Sequence, residues 1–199
     1  METFIRHARG LTARIAHRRE ERESYRRLAD GQSPLALFIT CSDSRVVPSL
    51  ITGARPGELF ELRTAGNAVP AYTEGATSAE AATIEYAMSV LRVADIVVCG
   101  HSHCGAVGAK ARREELTGVP AMRDWLDQQL SDELPAHDEP SVSAAVQHHV
   151  REQLSRLREY PCVRDRVARG EVGLHGWFYE VHTGLVASYQ PTSGLFLPL

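Results

Sequence analysis

The sequence predicts an α/β fold: a mainly parallel central sheet of four strands plus an antiparallel edge strand, flanked by helices, with an N-terminal helical arm. Two short apolar runs, residues 35–40 and 95–100, are rich in branched side chains and stop abruptly at polar residues. Such runs are typical of strands buried on both faces, which belong to parallel sheets. A strong helical pattern over residues 77–92 precedes the second run and predicts a crossover between parallel strands.

The length and composition favour one globular domain. At 199 residues, with 43% hydrophobic and 24% charged residues, we predict a single domain over 1–199 that includes an arm over 1–30. The net charge of −3 gives no indication of a nucleic-acid or membrane partner, and the four cysteines form no disulfide framework. No apolar run approaches the ~18 residues of a membrane helix and no signal peptide is visible, so we expect a cytoplasmic protein.

The arm over residues 1–30 carries a thin apolar stripe among many Arg and Glu residues. This pattern predicts one or two solvated helices, broken at Gly10, with charges of both signs interleaved along the surface. An alternative interpretation is an arm that lies across a partner subunit, because so thin a stripe anchors poorly on its own core.

The remaining elements follow from local patterns. We predict strands over 35–40, 58–62, 95–100, 172–181 and 185–189. A short helix follows Pro48, and longer helices are predicted over 77–92 (capped by Thr77 or Ser78), 106–116, 122–130, 141–160 and 163–169. A turn at residues 182–184 makes the last predicted strand an antiparallel edge.

Reactive side chains follow two of the predicted strands. Cys41, Asp43 and Arg45 come directly after the first strand, and His101 and Cys104 come directly after the third. Ligands of parallel α/β sheets bind outside the carboxyl ends of the strands, where these residues would meet. Two thiolates and one imidazole form a known catalytic zinc arrangement that leaves the fourth position open. The sequence therefore favours a zinc site at this edge.

Other interpretations of these residues remain. Cys41 alone could be a buried thiol beside a surface Asp–Arg pair. A closed structural zinc site would need a fourth ligand, for which His103 is the nearest candidate, but we expect it to point elsewhere on a short turn. His148 and His149 lack the usual i, i+4 spacing of a metal pair, and we interpret them as surface or core histidines. Cys99 and Cys162 are interpreted as core or incidental thiols.

Five segments together carry a family resemblance. They are CSDSR (41–45), RTAGN (63–67), EYA (85–87), GHSHCGA (100–106) and GWFYEVHTG (176–184). In this order they closely resemble the β-class carbonic anhydrases, especially plant-type and cyanate-operon-associated bacterial members. The resemblance covers roughly residues 30–190, and the paired C-x-D-x-R and H-x-x-C motifs are highly specific together. Thr64 departs from the Asn of many members, and we expect it to tune the pocket wall.

The resemblance implies roles for individual residues. One Zn²⁺ per chain would be held by Cys41, His101 and Cys104, with Asp43 and Arg45 as a catalytic dyad. Substrate-binding positions are implied at Gln32, Phe60, Ala65, Tyr86 and Gly105.

The activity implied is reversible hydration of CO₂ to bicarbonate and a proton, in which hydroxide generated at zinc attacks CO₂ and the dyad orients it. The resemblance further implies a homodimer or a higher even oligomer, such as a homotetramer, with the sites at the subunit interface. Two alternatives stay open: a hydrolase of carbonyl sulfide or carbon disulfide on the same scaffold, and a non-catalytic structural-zinc module.

Overall fold

The computed structural model describes residues 1–135 and 141–199. They form two compact units, Met1–Ser33 and Pro34–Leu199, and the second contains every strand assigned in these ranges. Within the same ranges, none of the helices combines the length and the apolar character needed to span a bilayer. That residues 1–199 fold as a single domain stays a prediction.

The first unit is a run of three short helices: α1 (Glu2–Arg9), α2 (Leu11–His17) and α3 (Arg19–Arg27). The predicted break at Gly10 is confirmed, and a second break falls at Arg18, whose backbone is extended. None of the three helices has a buried residue. Ion pairs from Arg18 to Glu21 and from Arg19 to Glu23 confirm the interleaved charges. Packing of an apolar face supplies most of the stability of a helix in a protein. Because these three helices are short and have no buried residue, they gain little stability from packing.

The second unit is built on one six-stranded sheet, with β1 (Ala36–Cys41), β2 (Leu59–Thr64), β3 (Asp95–His101), β4 (Gly173–Tyr179), β5 (Val186–Gln190) and β6 (Leu195–Pro198). The order is β2-β1-β3-β4-β5-β6. The first four strands are parallel and the last two are antiparallel, which confirms the predicted fold class. β6 was not predicted, because four residues after a turn carry too short an alternation to indicate a strand.

Six helices of the described residues flank this sheet: α4 (Pro48–Thr52), α5 (Ala79–Tyr86), α6 (Gly105–Ala111), α7 (Pro120–Gln129), α8 (Ser143–Leu157) and α9 (Pro161–Ala168). The predicted cap of the 77–92 helix is Ser78, whose Oγ accepts a hydrogen bond from the Ala81 N–H at 3.0 Å. This helix begins as α5 and continues as a π-helical turn that ends at Arg92, a residue with left-handed backbone. The helix predicted over 106–116 already ends at Ala111.

The sheet separates two apolar clusters of unequal size. β1 is buried along its whole length, as predicted for a central strand. Its alternate residues Leu37 and Ile39 join the main core, whereas Phe38 joins Val97 and Cys99 in a smaller cluster on the other face. α8 packs closely on the main-core face, where an added Cβ at Gly100 would lie 2.5 Å from a methyl of Val146.

We therefore expect Gly100→Ala to destabilise the protein. The new methyl would also lie 2.7 Å from a methyl of Val150, so α8 must move away from β3. Overpacking of this kind costs about 1–3 kcal/mol, which urea unfolding followed by circular dichroism would measure. Gly118→Ala is the matched control, because nothing lies within 4 Å of its added Cβ. Equal stability of the two variants would contradict the close packing of α8.

Candidate metal centre

Three buried side chains converge at the carboxyl edge of the sheet. Cys41 is the last residue of β1, His101 is the last residue of β3, and Cys104 directly precedes α6. β1 and β3 are parallel neighbours, so these strand ends lie side by side. The two Sγ atoms are 4.0 Å apart, and the ligand atoms of all three residues lie within 4.8 Å of one another. The structure thus brings together all three predicted metal ligands.

The geometry of this cluster fits a tetrahedral metal ion. Two sulfur atoms bound to zinc at about 2.3 Å in tetrahedral geometry lie about 3.8 Å apart, close to the spacing observed here. The Nδ1 of His101 lies 2.9 Å from the carbonyl oxygen of Ser102, which leaves Nε2 as the atom facing the sulfurs. That Nε2 is buried and has no hydrogen-bond partner among the described residues. A buried imidazole lone pair without a donor is costly, and a cation satisfies it.

Cys41 and Cys104 affect each other's pKa in opposite directions. The hydrogen bond from Cys104 lowers the pKa of Cys41 to about 4, although burial acts in the opposite direction. The same contact, together with burial, raises the pKa of Cys104 well above its usual value. The pair therefore carries one negative charge at neutral pH, with Cys41 ionised and Cys104 protonated. A cation that binds both sulfurs displaces the remaining proton from Cys104.

The predicted Asp43–Arg45 dyad lies beside the cluster. Arg45 donates from Nε to Oδ1 of Asp43 at 2.9 Å and from Nη2 to Oδ2 at 2.6 Å, and its backbone N–H also donates to Oδ1. This guanidinium holds the pKa of the Asp43 carboxyl well below its usual range. Oδ2 of Asp43 lies 3.9 Å from Nε2 of His101, so an ionised carboxylate faces the place where the three ligand atoms converge.

A further arginine, which sequence reasoning did not single out, fixes the loop that carries the dyad. Arg63 donates from Nη2 to the carbonyl oxygens of Cys41, Asp43 and Val46 at 2.8–2.9 Å. One guanidinium thus closes the turn from β1 into α4 and sets the direction of the Asp43 side chain. The only signal in the sequence is its place in the RTAGN segment, because its partners lie 17 to 22 residues away.

Histidines near the cluster divide into two kinds. His149 is fully buried on α8, and its Nε2 lies 2.8 Å from the carbonyl oxygen of Gly66, so it is one of the predicted core histidines. His148 is partly exposed beside Glu152. His103 is exposed on its turn, with its ring 6.4 Å from that of His182, and it is not part of the cluster found among the described residues.

Two of the predicted substrate-binding residues adjoin the cluster, whereas Phe60 lies farther back along the sheet. Ala65 follows Thr64, the register partner of Cys41, and Gly105 follows Cys104, so both adjoin the cluster. Phe60 pairs in register with Leu37, four residues before Cys41 and about 13 Å back along the strand. Its ring packs on that of Tyr86, with centroids 5.9 Å apart. Gln32 is exposed and belongs to the first unit. Roles for these five residues stay predictions.

A buried Cys₂His cluster at the carboxyl edge of a parallel sheet defines this protein as an α/β protein with side chains that could hold a metal ion in the way that catalytic zinc sites do. Comparisons with known proteins agree. A carbonic anhydrase family model matches residues 36–186. A carbonic anhydrase of Pseudomonas aeruginosa is 45% identical over 183 residues, 88% of this chain and 82% of that protein.

Solved structures match over nearly the whole chain. The β-carbonic anhydrase CcaA superposes with a TM-score of 0.87 at 35% identity, covering 99% of this chain and 100% of that one. A tetrameric β-carbonic anhydrase of the ascomycete Sordaria macrospora gives a TM-score of 0.78 at 29% identity, with 94% and 97% covered. This chain belongs to the β-class carbonic anhydrases, a class of enzymes.

Stability at acid pH should depend on the buried His149. Burial lowers its pKa to about 4, from 6.5 in an unfolded chain. Between these values the unfolded chain binds a proton that the folded chain does not. The contribution of His149 to the free energy of unfolding is therefore fully present above pH 6.5 and is lost as the pH falls towards 4. We expect a loss of about 2–3 kcal/mol between pH 7 and 4.5 from this group alone.

Urea unfolding of wild type and His149→Gln at both pH values, in the presence of a chelator, measures this contribution. The variant should lose about 2–3 kcal/mol less than wild type on acidification. His148→Gln, which changes the partly exposed neighbour, should behave as wild type. An identical acid loss in wild type and His149→Gln would show that the imidazole is not held neutral.

Proposed function

We propose that this protein catalyses the reversible hydration of CO₂ to bicarbonate and a proton, with one zinc ion per chain held by Cys41, His101 and Cys104. The observation that carries the proposal is the ionised Asp43, held by Arg45, beside a buried Cys₂His cluster in a member of the β-class carbonic anhydrases. A structural zinc module would have no use for a carboxylate fixed in this position. The predicted cytoplasmic location stays a prediction.

The donor set suits zinc. Two thiolates and an imidazole are ligands that zinc prefers, and the set leaves one tetrahedral position for substrate. Zinc, when bound, supplies a Lewis acid that lowers the pKa of a water molecule towards 7 and so makes hydroxide available at neutral pH. The protein contributes a dry, preorganised cluster, because all three ligands are buried.

Asp43 orients the attacking water. An ionised carboxylate accepts hydrogen bonds and donates none. The paired Arg45 keeps the Asp43 carboxylate ionised throughout the neutral range. It would therefore accept a hydrogen bond from the water and direct an oxygen lone pair towards CO₂, without taking up the proton itself. Both carboxylate oxygens are engaged by Arg45, which also donates to the carbonyl oxygen of His103 at 3.0 Å and so ties the dyad to the turn between His101 and Cys104. A pH transition of activity near neutrality would then belong to the water.

A second copy of the chain would complete the apolar wall of the substrate pocket. Ala65 and Gly105 adjoin the ligands in one chain, whereas Phe60 and Tyr86 form their own pair, and Tyr86 remains 43% exposed. Leu50 and Val90 are also exposed, by 82% and 59%. We propose a homodimer, or a homotetramer built from dimers, in which Phe60, Tyr86 and Gln32 of one chain serve the metal site of the other. One relative is described as tetrameric.

Variants of the ligands and of the dyad test the assigned roles. We expect Asp43→Ala to keep about one zinc per chain and to lose at least tenfold in kcat/KM, because water is bound but not oriented. Cys104→Ser should lose zinc and activity together. Stopped-flow CO₂ hydration at pH 6.5–9 and metal analysis of each protein measure both effects, with Cys162→Ser as a control outside the cluster.

Two outcomes would contradict these assignments. An Asp43→Ala protein that hydrates CO₂ at the wild-type rate would remove the orienting role of the carboxylate. Zinc-loaded wild type without CO₂ hydration at any pH would contradict the proposed activity, and assays with carbonyl sulfide and carbon disulfide would then follow.

Mixing two inactive variants tests the shared site. One chain carries Cys41→Ser and Cys104→Ser, and the other carries Phe60→Ala and Tyr86→Ala. After denaturation and refolding of an equal mixture, half of the dimers are mixed, and each has one complete site, so about a quarter of wild-type activity should appear. If the metal ligands and the aromatic residues act within one chain, the mixture would show only the mean activity of the two inactive variants.

A further inference from the structure

A stripe of side chains on α8, together with Tyr160 just beyond the end of the helix, holds the backbone that follows β2. His149, Gln153 and Arg156 are spaced by four and three residues, so they share one face of α8, and Tyr160 follows three residues after α8 ends at Leu157. His149 bonds the carbonyl oxygen of Gly66, Gln153 accepts from the N–H of Val69, Arg156 donates to the carbonyl oxygen of Val69, and Tyr160 donates to that of Pro70, all at 2.8–3.0 Å. A run of backbone polar groups is thus satisfied by these side chains.

Gly66 connects this stripe to the metal ligands. Its N–H points at Sγ of Cys41, with the nitrogen 3.4 Å from the sulfur. Its backbone is left-handed, with φ of 74°, and an added Cβ would lie 3.2 Å from Cβ of Ala106. Glycine is therefore required at this position, and its conformation must be maintained from outside because glycine itself has little preference.

Two side chains maintain that conformation, one on each side of Gly66. Nε1 of Trp125 donates to the carbonyl oxygen of Ala65 at 3.0 Å and fixes the peptide that carries the Gly66 N–H. His149 fixes the next peptide through the Gly66 carbonyl. Nε2 of Gln153 lies 3.2 Å from Nδ1 of His149 and, since its Oε1 accepts from Val69, must be a donor there. This leaves His149 with its proton on Nε2, as a donor to Gly66.

We propose that His149, with its tautomer set by Gln153, is a positioning residue of the metal site: it fixes Gly66 so that the Gly66 N–H withdraws charge from the Cys41 sulfur. The inference rests on the proposed function. Two thiolates cancel the charge of a divalent zinc ion and weaken it as an acid, and hydrogen bonds to a ligating sulfur oppose this loss. His149 acts through Gly66 and touches neither ligand nor substrate.

Cobalt-substituted protein tests this inference without relying on catalysis. The sulfur-to-cobalt charge-transfer band reports the charge on the ligating sulfurs. In His149→Leu, which lacks the donor, we expect the band to move to longer wavelength. His149→Gln can place an amide N–H at the same carbonyl and should restore the wild-type band. Tyr160→Phe removes a different contact to the same backbone segment and should leave the band unchanged.

The zinc enzymes provide a second measurement. The midpoint of the pH profile of kcat/KM for CO₂ hydration should rise by up to about one unit in His149→Leu and should stay at its wild-type value in His149→Gln and Tyr160→Phe. If His149→Leu does not fold, Gln153→Met keeps the imidazole but removes the group that sets its tautomer, and it should shift band and midpoint in the same direction by less.

The outcomes separate this inference from the proposed activity. A wild-type band in folded His149→Leu, or an equal shift in Tyr160→Phe, would overturn the positioning role even if the enzyme hydrates CO₂. A band shift confined to His149→Leu would support the role even if wild type hydrates no CO₂, in which case only the proposed activity fails. Wild-type protein that binds neither zinc nor cobalt would overturn both.

Discussion

The charge of two thiols in a dry site is the constraint on which the metal centre depends. Cys41 and Cys104 lie 4.0 Å apart and are both buried, so a second thiolate cannot form there without a cation. Parallel pairing of β1 with β3 produces this proximity, because it brings strand ends that are 60 residues apart in sequence to one edge. Nε2 of His101, which has no hydrogen-bond partner in the described part of the chain, completes a set of donor atoms that could hold a metal ion.

The surroundings of the cluster moderate the negative charge of the ligands. The Gly66 N–H points at the Cys41 sulfur, and the Arg45 guanidinium lies next to the dyad carboxylate. The backbone around the cluster is held in turn by side chains that are distant in sequence: His149 on α8 contacts Gly66, and Arg63 near the end of β2 contacts the loop that carries Asp43. In the proposed enzyme, the packing of β2 and α8 around the cluster would therefore contribute to its reactivity together with the three predicted ligands.

Local patterns made most of the fold, and the convergence of Cys41, His101 and Cys104, predictable from the sequence. The apolar runs of β1 and β3 stop at Cys41 and His101 because the chain leaves the core there, so the strand ends and the reactive residues coincide. Contacts made over long distances in sequence were not predictable. Arg63 and His149 reach partners up to 83 residues away, and no local pattern specifies them. Phe60 matched the family by position, yet strand register places it well back from Cys41.

The buried polar residues of α8 also contain structural information, which a prediction based on hydrophobic periodicity alone does not use. The helix was predicted from its apolar positions, among them Val146, Val150 and Leu154, which pack in the core as expected. His149 and Gln153 are equally buried, and each meets backbone atoms of the segment after β2. Buried polar side chains at i and i+4 on a core helix must find partners, since leaving them unpaired costs about 1–3 kcal/mol each. Such a pair on a predicted core helix therefore indicates that the helix packs against irregular backbone, and in an α/β protein irregular backbone lies at the strand ends, where ligands bind.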